Sequence, residues 1–180
     1  EGIVGVVGLD LLRQAGTASI TLEQGGSGEL RLMTPTEAAE VPASGNAIEL
    51  PFTMAAGHIF LDGMLGDAPT TFLFDTGARS TIIPLEVARR AGLKSGSLPE
   101  REFRGLDGNP LPARSVRADG LALAGEVFES FDIYAADLPV LKALGLEEGS
   151  GLLGMDFILR FDRVDVDFTR GAIRLWQETP

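Results

Sequence analysis

The sequence contains no cysteine and only one histidine, His58, so several kinds of chemistry are excluded at once. Without cysteine the chain forms no disulfides, carries no thiolate nucleophile and has no cysteine-ligated zinc site. With one histidine, a two-histidine metal site cannot form within one chain, and no Gly-x-Ser-x-Gly segment accompanies His58 for serine-type catalysis. A protein without cysteine folds in oxidising and reducing surroundings alike, so the compartment is left open.

The chain is also short of basic residues and of long apolar runs. Its 15 lysines and arginines stand against 26 acidic residues, which gives a net charge of -11 and a pI of about 4.5. Nucleic-acid binders need a basic face and polybasic membrane patches need clustered lysine and arginine, so neither kind of partner is expected. No apolar run reaches about 18 residues, so we expect no membrane-spanning segment. The apolar segment 2–12 lacks the basic flank and cleavage site of a signal peptide.

Aromatic residues make up only 7% of the sequence, whereas there are 23 glycines and 10 prolines. This combination, with 44% hydrophobic residues, is typical of a cored domain built from many short strands and tight turns rather than of a helical bundle. The predicted strands are 47–54, 58–65, 70–75, 120–123, 127–134, 163–168 and 172–176, with a hairpin at 103–116. Short helices are predicted at 84–91 and 155–160.

The chain contains an internal repeat. The segment GVVGLDLL at 5–12 matches GLLGMDFI at 151–158 position for position, residues 18–22 then lie over 164–168, and residues 28–33 lie over 171–176. The same order of glycine, helix, alternating strand, turn and final strand therefore occurs twice. It predicts that residues 1–33 are the C-terminal half of a first lobe, that the proline- and alanine-rich segment 34–46 is a linker, and that residues 47–180 form a complete second lobe.

One acidic residue stands where an apolar strand is expected to end. In TTFLFDTGARSTIIP, residues 70–84, apolar residues run into Asp75 and resume soon after it. Removing an ionised carboxylate from water costs on the order of several kcal/mol, so such a residue is usually paired, hydrogen-bonded or functional. The alternative interpretation is a turn aspartate before glycine, which is common in β proteins.

A second acidic group, Asp162, Asp165 and Asp167, has the composition of a calcium site. The glycine and the distal glutamate of an EF-hand loop are absent, however, so we expect a solvated strand face instead.

Asp75-Thr76-Gly77-Ala78, framed by apolar strands, resembles the active-site loop of the retropepsin-type (retroviral-like) aspartic proteases. The segment Leu152-Leu153-Gly154 resembles the apolar segment that packs behind that loop, and the hairpin at 103–116 stands where the family has its flap. With the repeat, the resemblance is to a bacterial-style two-lobe aspartyl protease. It implies an all-β fold: a retropepsin-like closed β-barrel lobe with one short C-terminal helix, preceded by the C-terminal half of a second similar lobe.

The resemblance also implies an activity and a set of site residues. Asp75 would be one of two paired aspartates that activate a water to hydrolyse peptide bonds in a peptide or protein substrate. Thr76, Gly77 and Ala78, with Leu152, Leu153 and Gly154, would support the active site. The substrate-binding residues would be Arg79, Ser80, Gly105, Leu106, Asp107 and Gly108. Neither a metal nor a cofactor is implied.

The sequence has one Asp-Thr-Gly, whereas the resemblance implies two. Either a second lobe or a second copy of the chain supplies the other aspartate, or the chain is a catalytically inactive module used for dimerisation or peptide binding. The resemblance slightly favours a periplasmic or secreted location, and nothing in the sequence indicates the physiological substrate.

Overall fold

The computed structural model describes residues 7–22, 28–40, 47–104, 110–138 and 149–177. The chain divides into two compact units, which we describe separately. Unit 1 is Glu1–His58 with Leu159–Pro180, and unit 2 is Ile59–Ile158.

Short strands dominate both units, as the composition predicts. The strands are β1 Thr17–Leu22, β2 Gly28–Met33, β3 Ile48–Pro51, β4 Thr53–Ala55, β5 His58–Leu65, β6 Ala68–Phe74, β7 Ile82–Pro84, β8 Arg101–Arg104, β9 Pro110–Ala118, β10 Leu121–Leu123, β11 Glu126–Val127, β12 Phe131–Ala136, β13 Gly151–Leu153, β14 Arg163–Asp167 and β15 Ala172–Trp176. The helices are α1 Leu9–Leu12, α2 Pro35–Glu40, α3 Leu85–Arg90 and α4 Met155–Ile158. The prediction of an all-β fold with few short helices is confirmed.

Unit 1 is a five-stranded sheet in the order β2-β1-β14-β15-β3. Its two central strands are antiparallel, and Ser19 faces Asp165 at the middle of their register. These two residues are also equivalent in the sequence repeat, so a local two-fold axis relates β1 to β14 through this pair. The same equivalence relates α1 to α4 and β2 to β15, whose bounds correspond residue for residue to within one position.

One face of this sheet holds carboxylates that are buried. Asp165 is 2% exposed and Asp167 is 5% exposed, so the expected solvated strand face is wrong. Asp165 Oδ2 accepts a hydrogen bond of 2.9 Å from Trp176 Nε1, and Arg163 lies 3.2 Å from its other oxygen. Arg174 lies 3.4 Å from Asp167. Burial is tolerated because each carboxylate has a cation and an N–H donor beside it.

In unit 2 the strand order is β11-β10-β5-β6-β13-β7-β12-β9-β8. Strand β13 lies between β6 and β7, parallel to the first and antiparallel to the second, although about seventy residues of sequence separate it from them. Strands β11 and β8 are the two edges of this sheet. In the described part of the chain they do not pair with each other. The expected closed barrel is therefore wrong for the described strands, which form open sheets.

The segment 34–46, predicted as a linker, contains helix α2. Thr34 and Glu37 form a capping box, in which Thr34 N–H and its hydroxyl each donate to Glu37 at 2.8 Å and Glu37 N–H donates back to Thr34 Oγ1 at 3.3 Å. These hydrogen bonds from Thr34 hold the pKa of Glu37 below its usual value. Pro35 occupies the first helical position, where its missing N–H is harmless. Residues 41–46 lie outside the described residues.

The buried contact between Trp176 and Asp165 gives a stability prediction. Trp176→Phe keeps a ring at this position but removes the Nε1 donor, which leaves a buried carboxylate oxygen without its hydrogen bond. We expect a loss of about 1–3 kcal/mol in the free energy of unfolding, measured by urea titration. An unchanged urea midpoint would show that Asp165 is satisfied without the indole.

Candidate active site

Asp75 follows directly on β6 and opens the loop that leads to β7. Backbone hydrogen bonds to residues 153–155 fix this loop. Asp75 N–H donates to Leu153 O at 3.0 Å, and Met155 N–H donates to Ala78 O at 2.8 Å. The loop also closes on itself, because Ala78 N–H donates to Asp75 O at 3.2 Å. Insertion of β13 between β6 and β7 therefore determines where Asp75 stands.

The Asp75 side chain is half-buried and partly held by its own loop. Its Oδ1 accepts a hydrogen bond of 2.8 Å from Gly77 N–H. A Cβ at Gly77 would lie 3.1 Å from that oxygen, so any larger residue would crowd the carboxylate. Thr76 and Gly77 are exposed. The carboxylate thus has a fixed orientation and one oxygen with no donor among the described residues, as a general base requires.

Gly154 allows the segment behind the loop to approach it closely. A Cβ at Gly154 would lie 2.6 Å from Ser80 C, 2.7 Å from Ser80 O and 2.9 Å from Ala78 O. All three are backbone atoms, so a side chain here would displace the loop itself. The structure brings Leu153 and Gly154 against the loop, as the sequence predicts.

Two residues that the sequence interpretation did not assign connect the same elements. Asp156 accepts hydrogen bonds from Thr81 N–H at 2.8 Å, from Thr81 Oγ1 at 2.6 Å and from Phe157 N–H at 2.9 Å. Thr81 Oγ1 in turn accepts from Gly154 N–H at 3.1 Å. Thr81 is fully buried. The sequence signal was available, because an acidic residue inside the apolar run 151–158 needs a hydrogen-bonding partner.

An apolar row crosses the sheet beside the loop. Direct cross-strand partners place Phe60, Leu73, Leu152, Ile82 and Tyr134 on one face of five adjacent strands. All five belong to one hydrophobic cluster, and of the five only Leu152 is partly exposed. The row reaches β6 at Leu73, two positions before Asp75 in the chain.

The predicted hairpin is present as β8 and β9, which pair from Arg101 with Ala113 to Arg104 with Pro110. Its base is packed, since Phe103 and Leu111 contact the apolar row and the Phe103 ring lies edge-on to Tyr134 at 5.1 Å. The tip residues Gly105, Leu106, Asp107 and Gly108 lie outside the described residues.

The chain entering the hairpin is anchored by Asp132 on β12. This carboxylate accepts hydrogen bonds from Ser97 N–H at 2.8 Å and from the Ser97 hydroxyl, and lies 3.3 Å from Arg117. The Ser97 hydrogen bonds, with a smaller effect of Arg117, hold the pKa of Asp132 below its usual value. The stability that this anchor contributes is fully present above the pKa of an unfolded aspartate, and is lost as the pH falls through the lowered folded value. The anchor therefore persists in mildly acidic solution.

Arg79 and Ser80 were both predicted at the rim of the cleft, and the structure separates them. Arg79 is exposed, and no carboxylate of the described residues forms an ion pair with it. Ser80 is only 8% exposed, because its backbone packs against Gly154. The expectation that the Ser80 side chain lies at the rim is not met, and Ser80 is better placed to hold the loop.

Comparison with known proteins identifies the class to which this site belongs. The family profile described as Aspartyl protease matches residues 61–157, which is more than half of the chain. The chain therefore belongs to the aspartyl protease family, and the family predicted from Asp75-Thr76-Gly77-Ala78 is confirmed. None of the curated proteins matches the sequence.

Among solved structures, the chain is similar to a retropepsin-like aspartic protease from Rickettsia conorii, with 19% identity and a TM-score of 0.49 over 72% of this chain and 89% of that one. It is also similar to the retroviral protease-like domain of Ddi1 from Leishmania major, with 14% identity and a TM-score of 0.45 over 66% of this chain and 87% of that one. A third similar structure is EIAV protease in complex with an inhibitor, with 18% identity and a TM-score of 0.38 over 62% of this chain and 86% of that one.

Neither a metal cluster nor a membrane-spanning helix is found in the described part of the chain. No group of three or more histidine, cysteine, aspartate or glutamate side chains there could hold a metal ion. No helix there is long and apolar enough to cross a membrane.

The Thr81 hydroxyl yields a prediction about the loop. Thr81→Val keeps the shape of the side chain but leaves Gly154 N–H and Asp156 each without one hydrogen bond. We expect a loss of about 1–3 kcal/mol in the free energy of unfolding. Thr81→Ser, which keeps the hydroxyl, is the matched control and should lose less.

A double-mutant cycle with Asp156→Ala checks the assignment. Each substitution removes the hydrogen bond from Thr81 Oγ1 to Asp156, so their combined effect should fall short of the sum of the single effects. Strict additivity would mean that Thr81 and Asp156 act independently.

Proposed function

We propose that the chain provides one catalytic half of an aspartic endopeptidase, in which Asp75 and a second aspartate activate a water that hydrolyses a peptide bond. The observation that carries this proposal is the Asp75 carboxylate, half-buried at the end of a strand, held by Gly77 N–H and with its loop fixed by Leu153 and Met155. An ordinary turn aspartate needs no such support from a strand about seventy residues away.

The chemistry follows from two carboxylates that share one proton. The ionised carboxylate takes a proton from water as the water oxygen bonds to the carbonyl carbon of the substrate. The protonated carboxyl gives its proton to the carbonyl oxygen, which forms a neutral tetrahedral diol. As the diol collapses and the C–N bond breaks, one diol hydroxyl gives its proton to the ionised carboxylate, and the leaving nitrogen receives a proton from the protonated carboxyl. The exposed Thr76 hydroxyl is available for a hydrogen bond to the partner loop.

The second aspartate comes from a second lobe or a second copy. The repeat and the local two-fold axis in unit 1 support a two-lobe arrangement, in which residues 1–33 are the closing half of one lobe and residues 47–180 are the other lobe. Strand β1, from residues 1–33, pairs directly with strand β14, from residues 47–180.

Substrate side chains would lie on apolar and charged surfaces near Asp75. Leu152, the partly exposed member of the apolar row, would contact apolar side chains beside the cleaved bond. Arg79 would contact acidic residues farther out. Gly105, Leu106, Asp107 and Gly108, which lie outside the described residues, would contribute to substrate binding.

The second candidate is a catalytically inactive module for dimerisation or peptide binding. It is favoured by the single Asp-Thr-Gly in the sequence. Such a module has no need of an accessible carboxylate, nor of Thr76 and Gly77 beside it, so the endopeptidase explains more of the site.

Replacement of the proposed base separates these candidates. Asp75→Asn keeps the size of the side chain and its hydrogen bond from Gly77, so the fold should be unchanged, but it removes the shared proton. We expect peptide cleavage by the assembled protein to fall by about 10²–10⁴-fold or more, measured with a mixed peptide library at acidic pH.

Asp67→Asn is the matched control, because Asp67 is exposed in the turn between β5 and β6. It should cleave like the wild type. Cleavage by Asp75→Asn at the wild-type rate would show that Asp75 is not the catalytic base, and an absence of cleavage in every assembled form of the wild type would favour the inactive module.

Arg79 provides a prediction about specificity. If this unpaired cation contacts the substrate, Arg79→Ala should reduce a preference for acidic residues at outer positions by several-fold, since an exposed charge pair contributes about 1 kcal/mol or less. The effect should weaken at high salt. Arg89→Ala on α3, where Arg89 is exposed and paired with Glu86, should leave the preference unchanged. An identical profile for Arg79→Ala and wild type would remove Arg79 from substrate binding.

A further inference from the structure

Helix α2 and the unit 1 sheet together line a cavity of about 160 Å³. Gly16 lets the helix approach the sheet, because a Cβ there would lie 2.7 Å from Pro35 at the start of the helix. On the sheet, the cavity is lined by Thr17 of β1 and Asp167 of β14. These two residues face each other in the register and are 1% and 5% exposed. The cavity wall therefore contains buried polar side chains.

The turn after β14 adds two more polar residues to the cavity wall, Thr169 and Arg170. Both donate their backbone N–H to Asp167 Oδ1, at 3.0 Å and 2.9 Å respectively. Asp167 therefore fixes the turn and sets the position from which Thr169 and Arg170 reach the cavity.

Two guanidinium groups line the cavity, and both are only loosely neutralised. Arg174 Nη2 lies 3.4 Å from Asp167 Oδ2, and Arg170 Nε lies 3.9 Å from the same oxygen. Charge-assisted hydrogen bonds of this kind are about 2.7–2.9 Å long, so neither contact is a full one. Arg174 Nε is buried and has no hydrogen-bond partner among the described residues. One carboxylate oxygen thus serves two cations, and both cations retain N–H donors.

Positive charge is in excess at this cavity, although the whole chain has a net charge of -11. Two arginines and one aspartate are the charged residues that line it. Glu49 faces Arg174 from β3, but the two form no ion pair in the described part of the chain. Thr17 and Thr169 add hydroxyl groups that make no hydrogen bond with the described residues. The cavity therefore has more hydrogen-bond donors than acceptors.

We propose that this cavity binds a single phosphate group, either as free inorganic phosphate or as the phosphate of a small phosphomonoester. Arg170 and Arg174 each donate a pair of N–H groups to phosphate oxygens, and Thr17 and Thr169 each donate a hydroxyl proton. These are about six donors, which exceed the roughly four acceptor sites of a carboxylate and suit the four oxygens of phosphate.

The size of the cavity agrees with this ligand. A water molecule takes about 30 Å³ in the liquid, so a cavity of about 160 Å³ has room for the five non-hydrogen atoms of phosphate. All residues of the site belong to unit 1, so phosphate binding does not depend on the proposed protease activity.

The test follows phosphate binding by NMR on the whole chain carrying Asp75→Asn, so that the outcome does not depend on catalysis. Inorganic phosphate is added at constant ionic strength, with chloride as the balancing ion. The backbone amides of Thr169 and Arg170 are the reporters, because both are hydrogen-bonded to Asp167 in the cavity wall. Their resonances should shift and reach saturation at millimolar phosphate.

Variants of the arginines locate the contact. Arg170→Gln keeps a long, exposed side chain but removes the cation, and it should weaken phosphate binding by about tenfold. Arg31→Gln is the matched control, because Arg31 is exposed and occupies the position on β2 that is equivalent to Arg174 on β15. It should leave the affinity unchanged.

Variants of Thr17 test the buried hydroxyl. Thr17→Val keeps the shape of the side chain and should weaken phosphate binding by several-fold, whereas Thr17→Ser, which retains a hydroxyl, should bind like the wild type. Circular dichroism checks that both variants fold. If Thr17→Val does not fold, Arg170→Gln still decides the outcome, because Arg170 is exposed.

Two further ligands distinguish the possible sources of the phosphate group. Tighter binding of glycerol phosphate than of inorganic phosphate would support the proposal and assign a phosphomonoester. The reverse order would support it and assign the free ion. Acetate that saturates the same shifts with the affinity of phosphate would overturn the assignment of phosphate.

Shifts that rise linearly without saturation, or that chloride produces equally, would overturn the proposal. An unchanged affinity in Arg170→Gln would do the same. A loss of affinity in Arg31→Gln, with Arg170→Gln like the wild type, would place the bound anion at β2 and overturn the site described here.

Discussion

The close approach of strand β13 to the loop after β6 is the constraint on which the rest of the site depends. Gly154 lies so near the backbone of Ala78 and Ser80 that no side chain fits between them. That proximity allows Asp75 N–H to donate to Leu153 O and Met155 N–H to donate to Ala78 O. It also brings the Asp156 carboxylate within hydrogen-bond distance of Thr81. The Asp75 carboxylate is therefore positioned by backbone geometry, which tolerates little movement, and only one of its oxygens accepts a hydrogen bond from the described residues.

Unit 1 shows how a repeat in sequence becomes symmetry in structure. Because β1 and β14 are antiparallel and equivalent, their register has a two-fold centre, at Ser19 and Asp165. Symmetry of the backbone does not extend to the side chains. Asp165 is buried with Trp176 and Arg163, whereas its equivalent is an uncharged serine, so only one half carries the charged network. The exposed apolar residues of β2, Leu30 and Leu32, are a second departure from symmetry.

Two sequence interpretations were wrong for the same physical reason. The alternation in β14 indicates which residues share a face but not whether that face is covered, so Asp165 was expected in solvent. Closure of a barrel depends on whether the edge strands β8 and β11 meet, and neither strand's sequence specifies its distant neighbour.

The sequence by itself determined the alternating strands, the position of the hairpin, the internal repeat and the aspartate of the family motif, because all of these follow from local periodicity, turn residues and short motifs. Only the tertiary structure decided that β13 lies between β6 and β7, that Thr81 and Asp156 join the site, and that Ser80 is buried while Arg79 is exposed. These depend on contacts between residues about seventy positions apart. Many apolar strand sequences could pair with β6 and β7 equally well. The packing of the whole sheet, and not any segment alone, therefore decides that β13 pairs with them.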